Sequence, residues 1–322
     1  MMKVIVESPV AKEGVELLKD EGYEVVEIYE DDPEVLLEEI GSVDAILARP
    51  TGARVTAEVL REGDRLQVVS IHGVGCENVD IDMATEEGIY VLNTPNANTE
   101  AVVEHTFGLM SNLSKRILEA DRATRNGDYE TRDQYIGVEM KGKTLGVIGL
   151  GRIGLEVGRR LGRACGMEVV GCDPYLGASE FPDEIEYAED LEKIFEVSDF
   201  ITVHCPLTEG TEGLIGQEEL HKMKESAFLI NVARGGIVDE DALVDALKEG
   251  EIRGAAIDVF KEEPPADDHP LFDLNNVIVT PHTAWLTEEA RRRMSTGAAE
   301  GIITVLRGDI PEHTVNQAVC EE

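Results

Sequence analysis

One stretch, Lys143 to Asp173, limits what this chain can fold into more than any other. Thr144 to Ile148 is a short apolar run, as a strand buried in a parallel sheet requires. It passes directly into Gly149-x-Gly151-x-x-Gly154, and Leu155 to Ala164 reads as a helix. A second apolar strand, Val169 to Cys172, ends at Asp173, about 20 residues after the last glycine.

Each part has a physical task. Gly149 lets the chain turn tightly out of the strand, Gly151 lets backbone approach a bulky anion, and Gly154 lets the helix pack close to the sheet. The helix N-terminus offers unpaired N–H groups and a partial positive charge to phosphates. Asp173 stands where a carboxylate can accept bonds from both ribose hydroxyls, and it would repel a 2′-phosphate. The stretch therefore reads as an NAD site rather than an NADP site, the alternative being a glycine-rich structural turn. Arg152 and Ile153 in the first helical turn, and Pro174 after the acid, complete this group of candidate contacts.

With 322 residues and 42% hydrophobic content, the chain can fill two ordinary cores. No apolar run reaches the roughly 18 residues of a membrane span, and MMKVIVES lacks the features of a signal peptide, so a cytoplasmic protein is expected. Asp and Glu number 66 against 29 Lys and Arg, a net charge of −37 spread along the chain. Such a charge disfavours nucleic acid as a partner. The apolar pattern argues against disorder, so the charge points to a high-salt cytoplasm, where screening shortens to about 3 Å at 1 M. The five cysteines are scattered without CxxC spacing, so neither a metal site nor a disulfide framework is expected.

Residues 1–98 alternate strands (Val4–Val6, Glu24–Ile28, Ala45–Ala48, Val68–Ile71, Tyr90–Leu92) with helices such as Ala11–Glu21 and Pro33–Ile40. This is the βαβα pattern of a parallel sheet. His72-Gly-Val-Gly-Cys76 lies just past a strand end, where consecutive N–H groups can hold an anion or simply make a turn. Asn98 to Asn126 reads as one long connecting helix and Asp128 to Met140 as a polar loop. Beyond Asp173 the pattern predicts helices at Glu189–Val197, Gln217–Met223 and Asp239–Glu249, and strands at Phe200–His204, Ala227–Asn231, Gly254–Asp258 and Val277–Thr280. A last helix covers Thr287–Arg307, and the tail is expected to return to the first domain. The fold class is α/β: two Rossmann-like or flavodoxin-like parallel-sheet domains, residues 1–98 plus 288–322 binding substrate and 99–287 binding NAD.

Three polar residues stand beyond strand ends in the second domain: Arg234 in NVARGG, Glu263 in DVFKEEP and His282 in TPHTA. An imidazole can exchange the hydroxyl proton when an alcohol and a ketone interconvert, and a carboxylate beside it favours its protonated form. A guanidinium can hold a substrate carboxylate with two bonds. His282 is thus the candidate acid/base, Glu263 its partner and Arg234 the anchor. Each alone reads more readily as a turn, surface or capping residue; they gain weight together behind the glycine fingerprint.

At these residues the chain resembles the D-isomer-specific 2-hydroxyacid dehydrogenase family, through VIGLGRIG at 147–154, NVARGGIVDEDAL at 231–243, AAIDVFKEEP at 255–264, TPHTAW at 280–285 and HGVGCENVDI at 72–81. The resemblance covers nearly the whole chain. It implies catalytic roles for Arg234, Glu263 and His282, a backbone carboxylate cradle at Val74 and Gly75, and a nicotinamide carboxamide contact at Asp258. It also implies an adenine wall at His204, Cys205 and Pro206, with Val232 and Ala233 beside the cofactor. It further implies an active site in the cleft between the domains and a homodimer built on the cofactor domains. HGVGCENVD resembles the phosphoglycerate dehydrogenases, although no regulatory domain is expected after Val315-Asn316. Trp285 resembles the C-terminal-binding-protein branch, which includes NAD-binding corepressors, and would line the substrate pocket or simply pack. Arg49, at the end of a strand, would meet a substrate carboxylate or phosphate, or pair with a neighbouring acid. Two readings follow: an NAD-dependent 2-keto acid reductase, or an NAD-responsive interaction protein.

Overall fold

The computed structural model describes residues 1–321, which form two compact units: Met1–Thr99 with the chain from Leu286 onward, and Glu100–Trp285.

The first unit is a five-stranded sheet of β1 (Lys3–Glu7), β2 (Glu24–Ile28), β3 (Ala45–Ala48), β4 (Val68–Ile71) and β5 (Tyr90–Leu92). Every pairing is parallel and the order is β2-β1-β3-β4-β5. This is the flavodoxin-like order, whose switch point lies between β1 and β3. Helices α1 (Lys12–Asp20), α2 (Pro33–Glu39), α3 (Ala57–Glu62) and α4 (Ile81–Glu86) connect the strands. Alternation along each strand divides the core in two. Val4, Val6, Leu47 and Val68 meet Leu18 of α1 and Ala298 and Ile302 of the C-terminal helix Glu288–Leu306. Ile5, Ile46, Val69 and Val91 face Leu36 and Val59. The tail is fastened to β5, where Asn316 Oδ1 accepts from Val91 N–H and its Nδ2 donates to Ile89 O.

The second unit is a seven-stranded parallel sheet: β6 (Thr144–Ile148), β7 (Glu168–Cys172), β8 (Glu186–Tyr187), β9 (Phe200–Val203), β10 (Phe228–Asn231), β11 (Gly254–Ile257) and β12 (Val277–Val279). Its order, β12-β11-β10-β9-β6-β7-β8, is doubly wound about β6 and β9, the arrangement of dinucleotide-binding sheets. The two-residue edge strand β8 carries too little apolar pattern to be read from sequence.

One expectation fails. The helix across 98–126 is broken, into α5 (Thr99–Lys115) and α6 (Ile117–Arg125), by Arg116 in the left-handed conformation at φ 55°. The polar segment that follows supplies the reason. Val138 N–H takes Ser114 O, and Gly137 passes so close that a Cβ there would sit 2.4 Å from that oxygen. The Arg116 side chain holds the elbow by binding the Glu119 carboxylate and Gln134 O. No helix among the described residues is long and apolar enough to cross a membrane.

Candidate active site

The glycine turn takes its shape from three close approaches. Gly149 has φ +87°, and a Cβ on it would lie 2.6 Å from Cys205 N, so the turn is pressed against the end of β9. A Cβ on Gly154 would lie 2.0 Å from Gly149 O, which fixes α7 (Arg152–Cys165) against the turn. Gly151, the residue before α7, is different: nothing lies within 4 Å of its missing Cβ. Among the described residues, the N–H groups of Gly151, Arg152 and Ile153 donate to no protein acceptor. The open space and unpaired donors at one helix N-terminus fit a pyrophosphate.

Asp173 follows β7. Its Oδ2 accepts from Leu150 N–H at 2.8 Å and its Oδ1 from Tyr175 N–H at 2.9 Å, so the carboxylate is locked to the turn with lone pairs remaining for ribose hydroxyls. Pro174 continues the chain from it. His204, Cys205 and Pro206 leave β9 beside this turn. Burial holds the His204 imidazole down to about 3, and Thr202 Oγ1 lies 2.9 Å from its Nε2. Burial also pushes the Cys205 thiol up to about 11. Both side chains are therefore uncharged at neutral pH.

Val232 and Ala233 follow β10, and Ala233 N–H donates to Asn231 Oδ1 at 3.1 Å while Asn231 Nδ2 donates to Arg234 O at 2.8 Å. This side-chain clamp shapes the loop that presents Arg234. Gly235 then abuts the chain after β11: a Cβ would lie 1.9 Å from Phe260 O. The Arg234 loop and the Glu263 loop are thus packed backbone to backbone.

Glu263 Oε1 accepts from Phe260 N–H at 3.0 Å, and Oε2 lies 2.7 Å from His282 Nδ1. Burial pushes the Glu263 carboxyl up, but the hydrogen bonds from His282 and Phe260 and the charges of His282 and Arg234 outweigh it, so it lies below its ordinary 4.5. With Nδ1 engaged, His282 Nε2 is the nitrogen left to exchange a proton with a ligand.

His282 adopts φ 52°, an uncommon conformation for a residue with a side chain. Asp258 holds it there. The side chain of Asp258 is fully buried; its Oδ1 accepts from Thr280 Oγ1 at 2.6 Å and Thr283 N–H at 2.8 Å, and its Oδ2 accepts from Ala284 N–H at 2.9 Å. His282 N–H donates to Asp258 O at 2.7 Å. The family resemblance gives Asp258 a carboxamide contact; its hydrogen bonds in addition tie together the turn that carries His282. Sequence reading misses this, because nothing in a lone Asp after an apolar strand reveals which N–H groups will converge on it.

In the first unit, Val74 and Gly75 follow β4. Gly73 N–H donates to Thr94 Oγ1 and Val74 O accepts from Asn93 Nδ2, which fixes the loop. Among the described residues, the N–H groups of Val74 and Gly75 donate to no protein acceptor. Two adjacent unpaired donors can bind a carboxylate. Arg49 pairs with an acid: its Nη2 lies 2.5 Å from Asp31 Oδ1. Trp285 packs, partly buried, against the apolar layer that includes Ala284 and Val102.

The family model described as the D-isomer specific 2-hydroxyacid dehydrogenase NAD binding domain matches residues 107–284. The chain belongs to the D-isomer-specific 2-hydroxyacid dehydrogenases. It is 43% identical over 318 residues to a D-3-phosphoglycerate dehydrogenase of Methanocaldococcus jannaschii, covering 98% of this chain and 60% of the relative. It is 42% identical over 327 residues to a glyoxylate reductase of Thermofilum pendens, covering 99% of this chain and 96% of that one. The chain thus spans about three fifths of the phosphoglycerate dehydrogenases it matches. Among solved structures, the TT0316 protein of Thermus thermophilus superposes with a TM-score of 0.91 at 33% identity, over 98% of this chain and all of the other. The glycine turn, with Asp173 at its side, lies in the NAD-binding domain of this family.

Proposed function

We propose that this dehydrogenase transfers a hydride between NAD and C2 of a small 2-hydroxy or 2-keto acid. The observation that carries the reading is the 2.7 Å pair of His282 and Glu263 at the carboxyl edge of an NAD-binding sheet, with Arg234 close enough to bias the Glu263 charge. Bound NAD supplies the hydride acceptor, and NADH the donor. Arg234 holds the substrate carboxylate and polarises the C2 oxygen. In the first unit, the N–H groups of Val74 and Gly75 are suited to a carboxylate. In the reductive direction His282 Nε2 gives its proton to the oxygen at C2; in the oxidative direction it takes that proton back. Glu263 stabilises the imidazolium and fixes the ring through Nδ1. The first unit is the substrate-binding one in this reading, and residues 99–287 serve the cofactor.

The chain works as a homodimer through its NAD-binding unit. Leu118 and Phe272, exposed apolar side chains that line one pocket of that unit, support this.

The experiment is NADH oxidation in about 2 M KCl, where charges are well screened, with glyoxylate, hydroxypyruvate, pyruvate, longer 2-keto acids and 3-phosphohydroxypyruvate. Turnover of a 2-keto acid supports the assignment. Tight NADH binding without turnover of any would favour the NAD-responsive interaction protein instead.

A further inference from the structure

The substrate panel contains two chemical classes, 2-keto acids with and without a phosphoryl group. A cluster in the first unit discriminates between them. Glu7 ends β1, Asp31 follows β2 and Arg49 follows β3, so parallel strands in the order β2-β1-β3 bring one guanidinium and two carboxylates to the same sheet edge, at its switch point. Arg49 N–H donates to Glu7 Oε2 at 2.7 Å, and Arg49 Nη2 lies 2.5 Å from Asp31 Oδ1. The Arg49 loop is keyed into the Val74–Gly75 loop. Asn78 Nδ2 donates to Arg49 O at 2.7 Å, and a Cβ on Gly73 would lie 3.0 Å from Pro50 Cγ.

Arg49 thus stands in the loop keyed to the cradle, with its Nη2 already engaged by Asp31 and its Nε buried with no partner among the described residues. Its side chain is 18% exposed against 56% for Asp31, so Asp31 caps the guanidinium from the solvent side. Glu7 lies beneath, 1% exposed, and its Oε1 has no hydrogen-bond partner among the described residues. His72, at the end of β4, adds no cation, because burial holds its imidazole down to about 4. A tail carrying a phosphoryl dianion would meet a guanidinium whose charge Asp31 already offsets, whereas a short neutral tail would not depend on that charge.

We propose that Asp31, by occupying Arg49, makes the site selective for 2-keto acids without a phosphoryl group. The inference rests on the function proposed above.

The test is the ratio of kcat/KM for 3-phosphohydroxypyruvate to that for hydroxypyruvate, at one ionic strength, in the wild type, Asp31→Asn and Asp31→Glu. The ratio isolates the phosphoryl group, since the rest of the substrate is shared. The wild type should favour hydroxypyruvate. Asp31→Asn should raise the ratio about tenfold, the effect of one charge removed from beside a dianion near a protein surface. Asp31→Glu should restore the wild-type ratio, which a merely structural role of Asp31 would not predict. A wild-type preference for the phosphorylated acid, or an unchanged ratio in Asp31→Asn, would overturn the inference and leave the dehydrogenase assignment standing. No turnover of any 2-keto acid would overturn both.

Discussion

His282 Nδ1 and Glu263 Oε2 lie 2.7 Å apart, and the two residues reach that distance from loops that close different strands, β11 and β12. Neither loop is free to drift. Phe260 N–H holds the second oxygen of Glu263, and the Asp258 carboxylate gathers the turn around His282. The pair is therefore preorganised before a substrate arrives, which is what a proton donor to a developing alkoxide needs.

Removing the imidazole should separate binding from chemistry. His282→Ala should leave the NADH dissociation constant within a few-fold of wild type and lower kcat by about 10²–10⁴, the usual worth of a positioned acid. Glu263→Gln should keep the ring in place but remove the charge that stabilises the imidazolium, so kcat should fall, by a smaller factor than in His282→Ala. Fluorescence titration and steady-state kinetics check the two. Unchanged turnover in His282→Ala would remove it from the chemistry.

Two glycines of the same turn should respond in opposite ways to the same methyl group. Gly149→Ala meets both a positive φ and Cys205 N at 2.6 Å, so it should destabilise the unit by about 2–3 kcal/mol. Gly151→Ala meets no protein atom within 4 Å, so its melting temperature should match wild type while NADH binding weakens at least tenfold. Thermal unfolding and NADH titration of both variants distinguish a fold position from a ligand position. Equal effects on both properties in both variants would count against the division.

The periodic parts of this contrast were legible in the sequence. β2, β3, β4 and β5 fall on the apolar runs that announce them, and the spacing from Gly149 to Asp173 specifies a turn, a helix and an acid in order. What could not be read was whatever depends on distant chain segments. Arg116 lies in a sequence that reads as helix; the break comes from residues 137 and 138 reaching back to Ser114 O. Glu7 lies just past the strand read at Val4–Val6, and nothing in the sequence marks it as buried, yet the 49–52 loop covers it so closely that a Cβ on Gly52 would overlap its carboxylate. Arg49 illustrates the intermediate case: its position at a strand end was readable, but the choice of Asp31 as partner needed the strand order.

The burial of Glu7 predicts an unusual pH response. Burial pushes its carboxyl from 4.5 up to about 7, against the opposing hydrogen bond and charge of Arg49. The folded state then holds this proton more tightly than the unfolded chain. Its contribution is fully present below pH 4.5 and is lost as pH rises toward 7, about 3 kcal/mol in all at 1.36 kcal/mol per pKa unit. His72 acts in the opposite sense: burial lowers it from 6.5 to about 4, so its contribution is lost as pH falls through that window. Glu7→Gln keeps the acceptor for Arg49 N–H and removes the titration. The variant should be more stable than wild type at pH 8 and lose that advantage by pH 5. Urea unfolding at fixed salt across this range checks it; a pH-independent difference between the two proteins would refute the assignment.

Asp258 provides the strictest test of how the acid/base residue is held. Its carboxylate is completely buried and receives three hydrogen bonds of 2.9 Å or less from the 280–284 segment. Asp258→Ala would leave the N–H groups of Thr283 and Ala284 unpaired in the interior and should cost about 2–4 kcal/mol of stability. The positive φ of His282 is strained, by an amount of about 1–3 kcal/mol, and the turn tolerates it only while these bonds are made. Without them the turn should relax and carry the imidazole away from Glu263. Asp258→Asn retains an acceptor at one oxygen but places an NH2 donor at the other, facing donors. It should therefore fold, yet lose kcat by a larger factor than it changes KM for NADH. If Asp258 mattered chiefly by touching the cofactor, the same substitution would raise that KM and spare kcat at saturating NADH, so steady-state kinetics at several NADH concentrations decides between the two roles.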